Sequence, residues 1–212
     1  MFAPYASGPL PANVVPASQF VNDAQTGSLT QVALIEGGYE SGLDEHPDSN
    51  VQVGAQYVAS LINGLMGSPS WLDSAFILTF DEGGGLYDHV PPQPAVNPDG
   101  IAPVDLLPTD ICASAGGANC NFNYTGFRVP LIVISPFTKQ NYISHTVADY
   151  TAILTFIEKR FGISPLTKRD AAQMDMTEFF DFQNMPWASP PVPPEQSTAG
   201  VCSYQNLGYL GP

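Results

Sequence analysis

Asp81 and Glu82 stand side by side at the end of an apolar run, immediately before Gly83, Gly84 and Gly85. Two adjacent carboxylates supply hard oxygen ligands of the kind a divalent cation takes. Inside a regular strand they would point to opposite faces and could not share one ion. The three glycines end the strand and let the backbone turn, which removes that objection. Read by position alone, the pair is equally an acidic turn in water. His46 lies between Glu45 and Pro47, in a loop of the sort that carries functional groups on a rigid scaffold. His89 follows Asp88, which could orient it, and His145 sits in ISHTVADY, where it could brace the start of a helix. Each histidine also reads as an ordinary hydrogen-bonded surface residue. Arg128 is the first basic residue of the chain and could pair with a carboxylate or meet an anion. No GxSxG elbow, Walker loop or GxGxxG loop is present.

These residues need elements to hold them. Gln31–Ile35, Ala75–Phe80 and Val129–Ile134 are short apolar runs without alternation, the pattern of strands buried on both faces. Val51, Ala55, Val58, Ile62 and Leu65 recur at helical spacing after Asn50, a suitable N-cap. Tyr150, Ile153, Leu154, Ile157 and Phe161 do the same between Asp149 and Gly162, with Lys159 and Arg160 at the C-terminal end. The order predicts an α/β fold: a mostly parallel sheet with flanking helices and long Pro/Gly-rich loops. In such sheets functional groups gather beyond the carboxyl ends of strands, where Asp81 and Glu82 fall. Residues 1–28 read as an irregular leading segment, 29–185 as the α/β domain and 186–212 as a Pro-rich tail laid along the surface.

Composition narrows the partners. The 212 residues carry a net charge of −14, and no Lys or Arg precedes Arg128, so residues 1–127 alone hold −13. Nucleic acid binding needs clustered basic side chains, and anionic membranes attract the same feature, so both are disfavoured. No apolar run approaches a membrane-spanning length. The first residues lack the basic and apolar regions of a signal peptide. Of the three cysteines, Cys112 and Cys120 bracket a Gly/Ala/Asn loop and could close a small ring, leaving Cys202; three unremarkable thiols is the other reading.

Four blocks then carry a resemblance. LDEHP, GAQYVASLINGLMGSPSWLDSAFILTFDEGGGLYDHVPP, GFRVPLIVISPF and HTVADYTAILTFIEKRFGISPLTKRD, in that order, resemble the phosphoesterase family, which includes bacterial phospholipase C of the non-zinc type and related acid phosphatases. The likeness runs from about Gly27 to Phe182. It implies an alkaline-phosphatase-like fold and metal-assisted hydrolysis of a phospholipid or a small phosphomonoester. By motif position, Asp81 and Glu82 resemble the family's paired metal ligands, and His46 resembles its phosphate-contacting histidine. His89, Arg128 and His145 lie in family blocks and are carried as candidate substrate contacts. The divalent cation is left unnamed, because carboxylates suit magnesium, calcium or manganese and an added histidine admits zinc or iron. Export from the cytoplasm is implied by the resemblance and agrees with a Cys112–Cys120 bridge.

Two departures qualify what the resemblance implies. Gly83 stands where the family usually has histidine. The likeness also covers only the family's C-terminal half, so the Glu-Asn metal motif and the hydroxyl nucleophile are expected to be missing, with the fold incomplete at its N-terminal side. In a complete site a cation would polarise a phosphoryl oxygen and activate the nucleophile, giving a phospho-enzyme. His46 would stabilise the phosphoryl charge or protonate the leaving group. The alternative is a catalytically inactive truncated module that binds a cation or a partner. An unfinished sheet would also leave an edge exposed, through which copies of the chain could associate.

Overall fold

The computed structural model describes residues 12–38, 41–47, 49–103, 106–113, 120–195 and 197–200. The chain divides into two units. One runs to Phe76 and takes in Ile134–Pro136 and the residues from Trp187 onward; the other comprises Ile77–Val133 and Phe137–Pro186.

In the first unit, α1 (Ser18–Thr26) corrects the reading of residues 1–28 as irregular. Its sequence is polar, but Gln19 Nε2 donates to Asp23 Oδ1 one turn on, at 2.6 Å. Gly27 ends it in the left-handed region, φ 68°. So short a helix is held chiefly by packing, and Ala24 is fully buried. The second helix, α2 (Val51–Met66), starts as predicted at Asn50, whose side chain accepts from the Gln52 amide at 3.0 Å. Its buried face is Gly54, Leu61, Leu65 and Met66, while Val51 is exposed, so the inward stripe is rotated from the expected one. Gly54 has a steric reason: a Cβ there would meet Glu45 Cγ at 2.2 Å. The Trp71 ring joins Ala24, Leu65 and Met66 in the core, rimmed by Phe20, Phe76 and Trp187. Trp71 also donates its indole N–H to the Trp187 carbonyl at 2.9 Å, so the start of the predicted tail is pinned into this core.

Two of the three predicted strands form, each shorter than expected: β1 (Phe76–Thr79) and β2 (Leu131–Ile134). They make a two-stranded sheet. The Thr79 hydroxyl donates to the Pro130 carbonyl at 3.0 Å and the Ser135 hydroxyl to the Ser74 carbonyl at 2.8 Å. The end of one strand thus meets the start of the other, which makes the pair antiparallel. The expected mostly parallel sheet is not formed among the described residues. Gln31–Ile35 is not a strand, and Leu34 is 90% exposed. An apolar run becomes a strand only when a neighbour takes its backbone hydrogen bonds, and none is supplied among the described residues. In β2 the consecutive residues Leu131 and Ile132 are both exposed, so neither face of its first half is covered.

In the second unit, α3 (Thr151–Phe161) begins two residues after Asp149, whose Oδ1 accepts from the Thr151 amide and hydroxyl at 2.8 and 2.6 Å. It ends at Gly162, φ 66°. The short α4 (Lys168–Ala171) is nucleated by a capping box between Thr167 and Asp170. Phe156, Phe180 and Phe182 stack in series, with centroids 5.2 and 5.0 Å apart. The long Pro/Gly-rich loop between β1 and β2 has internal order among its described residues. Pro94 and Tyr124 form an antiparallel bridge, and the Cys112 and Cys120 sulfurs are bonded, with Cα atoms 5.6 Å apart. Cys202 lies outside the described residues.

Glu158 on α3 and Asp170 on α4 are both buried. Burial and the neighbouring Asp170 push the Glu158 carboxyl above its ordinary value, and its Oε2 has no hydrogen-bond partner. Burial also works against the Asp170 charge, but donors from Thr167 and the Leu166 amide outweigh it and hold that group at about 2. A raised acid favours folding while it keeps its proton, so this stability is present below the ordinary glutamate value and is lost as pH rises through the folded value. Glu158→Gln is therefore expected to melt above the wild type at pH 8 and level with it near pH 4. Scanning calorimetry across that range checks this, and a gap that does not change with pH would discard it.

Candidate functional site

The strand β1 delivers Asp81 and Glu82 to its carboxyl end, two residues past the last ladder position, where both are exposed. The backbone then turns. Gly84 and Gly85 have φ of 63° and 72°, and the Leu86 amide donates to the Gly83 carbonyl at 3.1 Å. A turn with both central residues in the left-handed region is one that glycine enters without strain. From the start of α3, the Tyr150 hydroxyl donates to the Asp81 carbonyl at 2.8 Å. Burial first, and then the negative charges of Asp81 and Glu82, push the Tyr150 phenol above its ordinary value. Both carboxylates therefore lie in electrostatic reach of that ring.

A cation must be tested against these donors. Magnesium asks for six ligands and calcium for six to eight, mostly oxygens. Asp81 and Glu82 have the right chemistry, but among the described residues no group of three His, Cys, Asp or Glu side chains forms. Two carboxylates are part of a shell, so the described residues do not by themselves fit a cation site.

His46 belongs to the first unit. Its Nδ1 is 2.9 Å from Asp44 Oδ2, with the imidazole half exposed and the carboxylate nearly buried. Glu45, between them, adopts φ 59° and packs over Gly54, which leaves Asp44 and His46 to meet across it. Burial raises the Glu45 carboxyl above its ordinary value. A carboxylate on one ring nitrogen fixes the imidazole's tautomer and orientation. Asp44 was not singled out from the sequence, although its spacing of two residues was the available signal.

In the second unit Arg128 does not stand open for an anion. Its Nε and Nη2 each donate to Asp88 at 2.8 Å, and its backbone amide donates to Asp88 Oδ2 at 3.1 Å. This bidentate pair joins the loop after β1 to the residue preceding the β2 segment. His89 is 3.7 Å from the same carboxylate and 81% exposed, so Asp88 is committed to Arg128 rather than to orienting His89. His145 is exposed, and Asp149, not His145, braces the start of α3. On either side of it, the Ser144 and Thr146 hydroxyls donate to Glu178, a residue the sequence reading did not single out.

The Arg128 guanidinium holds the Asp88 carboxyl well below the usual range. A lowered acid contributes stability above its unfolded value, lost as pH falls through the folded one. Asp88→Asn is therefore expected to be less stable than wild type at pH 7 and to lose less on acidification from pH 5 to pH 2. Urea midpoints over that interval measure it, and parallel acid limbs would count against the pair.

Comparison with known proteins gives the family. The chain is 35% identical over 183 residues to phospholipase C B of Mycobacterium tuberculosis, covering 82% of the chain and 33% of that protein. It is 36% identical over 171 residues to the hemolytic phospholipase C of Pseudomonas aeruginosa, covering 78% of the chain and 22% of the relative. With non-specific phospholipase C1 of Arabidopsis thaliana it shares 30% over 187 residues, covering 80% and 33%. The chain thus spans a third or less of the length of these relatives. The model of the phosphoesterase family matches residues 6–164, a stretch that holds every candidate residue from His46 to His145. The chain belongs to the phosphoesterase family.

Proposed function

We propose that the chain contributes to a phosphoric ester hydrolase of the phospholipase C or acid phosphatase type. The observation that carries this reading is the family match over residues 6–164, within which two exposed carboxylates stand on a glycine turn at a strand end. Asp81 and Glu82 would supply two oxygen donors of a divalent cation site, the remaining donors and the nucleophile lying outside the described residues. His46, oriented by Asp44, would stabilise charge on a phosphoryl oxygen or protonate the leaving group. His89 and His145 are exposed enough to meet a substrate, whereas Arg128 acts through its grip on Asp88. The alkaline-phosphatase-like fold with a mainly parallel sheet is proposed for the larger assembly of which β1 and β2 would be part. Export is proposed as well, supported by the Cys112–Cys120 bond, since disulfides persist in oxidising compartments. Among the described residues no helix is long and apolar enough to cross a membrane.

A second reading is a module that binds a cation or partner and turns nothing over. It is favoured by the incomplete donor set among the described residues. The purified chain is assayed on p-nitrophenyl phosphate and p-nitrophenylphosphorylcholine, with chelator and with each of several divalent cations. Catalysis by this chain on its own expects cation-dependent turnover at least about a hundredfold above an Asp81→Ala variant, the scale of a lost electrostatic contributor. Turnover no greater than that control under every condition would discard autonomous catalysis.

Association of copies through the β2 edge is also proposed, because Leu131 and Ile132 are left uncovered. Light scattering is expected to show mass rising with concentration, and rising less for Ile132→Lys. A mass that stays at 22.6 kDa for the unaltered chain would discard it.

A further inference from the structure

The loop that carries Asp81 and Glu82 is held at its far end by the Asp88–Arg128 pair, and among the described residues by little before it. The ladder of β1 ends at Thr79, and among the described residues the turn beyond is closed by the Leu86 amide on the Gly83 carbonyl. A Cβ placed on Gly83 or Gly85 would meet nothing within 4 Å, so the turn has open space on those sides. Leu86 and Tyr87, which follow, are 76% and 90% exposed. Unanchored, such a stretch samples many backbone directions, and both carboxylates would move with it.

Among the described residues, the hydrogen bond that ties Asp81 to another element comes from Tyr150. Tyr150 is unusually well placed to give it. It precedes the first residue of α3, and Asp149 before it is held from three sides. Arg169 Nε donates to Asp149 Oδ2 at 2.8 Å, Gln173 Nε2 to the same oxygen at 3.1 Å, and the Asp149 amide donates to Gln173 Oε1 at 3.2 Å. Packing does not explain the ring, which is 45% exposed. A phenol on a fixed backbone, spending its hydroxyl on one carbonyl, sets the orientation of that peptide.

We propose that Tyr150 is the positioning residue of the Asp81–Glu82 site, its hydroxyl fixing the peptide from which both carboxylates branch. This rests on the reading of that pair as functional. Phosphoryl chemistry draws most of its advantage from groups already in place, so the loss of one anchor should cost rate more than affinity.

The test is Tyr150→Phe in the full chain, which removes one oxygen from an exposed ring and leaves its packing. Hydrogen exchange of the Glu82–Leu86 amides is expected to quicken about three- to tenfold, the range for one net hydrogen bond. Exchange elsewhere and the melting temperature should stay level with wild type. On p-nitrophenyl phosphate, kcat should fall at least about threefold with KM unchanged. Unchanged exchange at Glu82–Leu86 overturns the proposal, and so does a faster exchange spread over the whole chain with a lower melting temperature. If neither protein turns over substrate while the local exchange responds, catalysis by this chain on its own fails and the anchoring role of Tyr150 stands.

Discussion

The ion pair between Arg169 and Asp149 is the constraint on which the second unit depends. Both side chains are nearly buried, at 14% and 9% exposure. The guanidinium spends its donors in two directions. Nε goes to Asp149 at the start of α3, while Nη1 and Nη2 go to the carbonyls of Phe122 and Tyr124 in the long loop. A planar fork with fixed donors reaches three separated acceptors in set directions, a spread that lysine's three rotatable donors on one nitrogen do not match. Removing it would leave the Asp149 carboxylate buried without its cation, the costly way to break such a pair. The chain of consequence then runs outward: Asp149 caps Thr151, the first turn of α3 presents Tyr150, and Tyr150 holds Asp81.

The loop between the two strands is organised from the same point. Its segments around Pro94 and Tyr124 pair antiparallel, with the Ala95 amide donating to Asn123 and the Thr125 amide to Gln93. Arg169 grips that pairing from one side, and Asp88 with Arg128 closes it from the other. The Lys168 amide adds a bond to the Pro98 carbonyl, so α4 is stitched to the same loop. A stretch with no hydrophobic periodicity can therefore be ordered by polar contacts and a disulfide rather than by a core.

What was legible in the sequence follows from how local each signal is. Asn50 and the apolar spacing behind it mark α2 because a helix closes its hydrogen bonds within itself. The same holds for α3, bounded by Asp149 and Gly162. Strands are not self-sufficient. Ala75–Phe80 and Val129–Ile134 found each other, whereas Gln31–Ile35, equally apolar, has no ladder partner among the described residues and stays largely exposed. The direction of the pair was not legible either, since apolar runs without alternation fit buried strands of either sense. At the site, Asp81, Glu82 and the turn were readable because glycines and carboxylates announce themselves in order. Tyr150 on Asp81 and Arg128 on Asp88 span 69 and 40 residues, and no spacing rule connects residues that far apart.

The acidic balance acquires a sharper meaning from these contacts. Six basic side chains face twenty carboxylates. Arg128, Lys159 and Arg169 are each spent on a specific partner, Asp88, Asp175 and Asp149. Lys139 lies over the Tyr142 ring and Arg160 over that of Phe161. The guanidinium that sequence position made the best candidate for a phosphate is thus already neutralised by a bidentate carboxylate. A phosphate ester approaching Asp81 and Glu82 would meet like charge, with no unspent arginine of the site to reverse it. Under the proposed hydrolase reading, the reversal of sign would come from a bound cation or from the histidines. On that reading Asp81 and Glu82 would give two of the oxygens such an ion takes, with further donors needed to complete its shell.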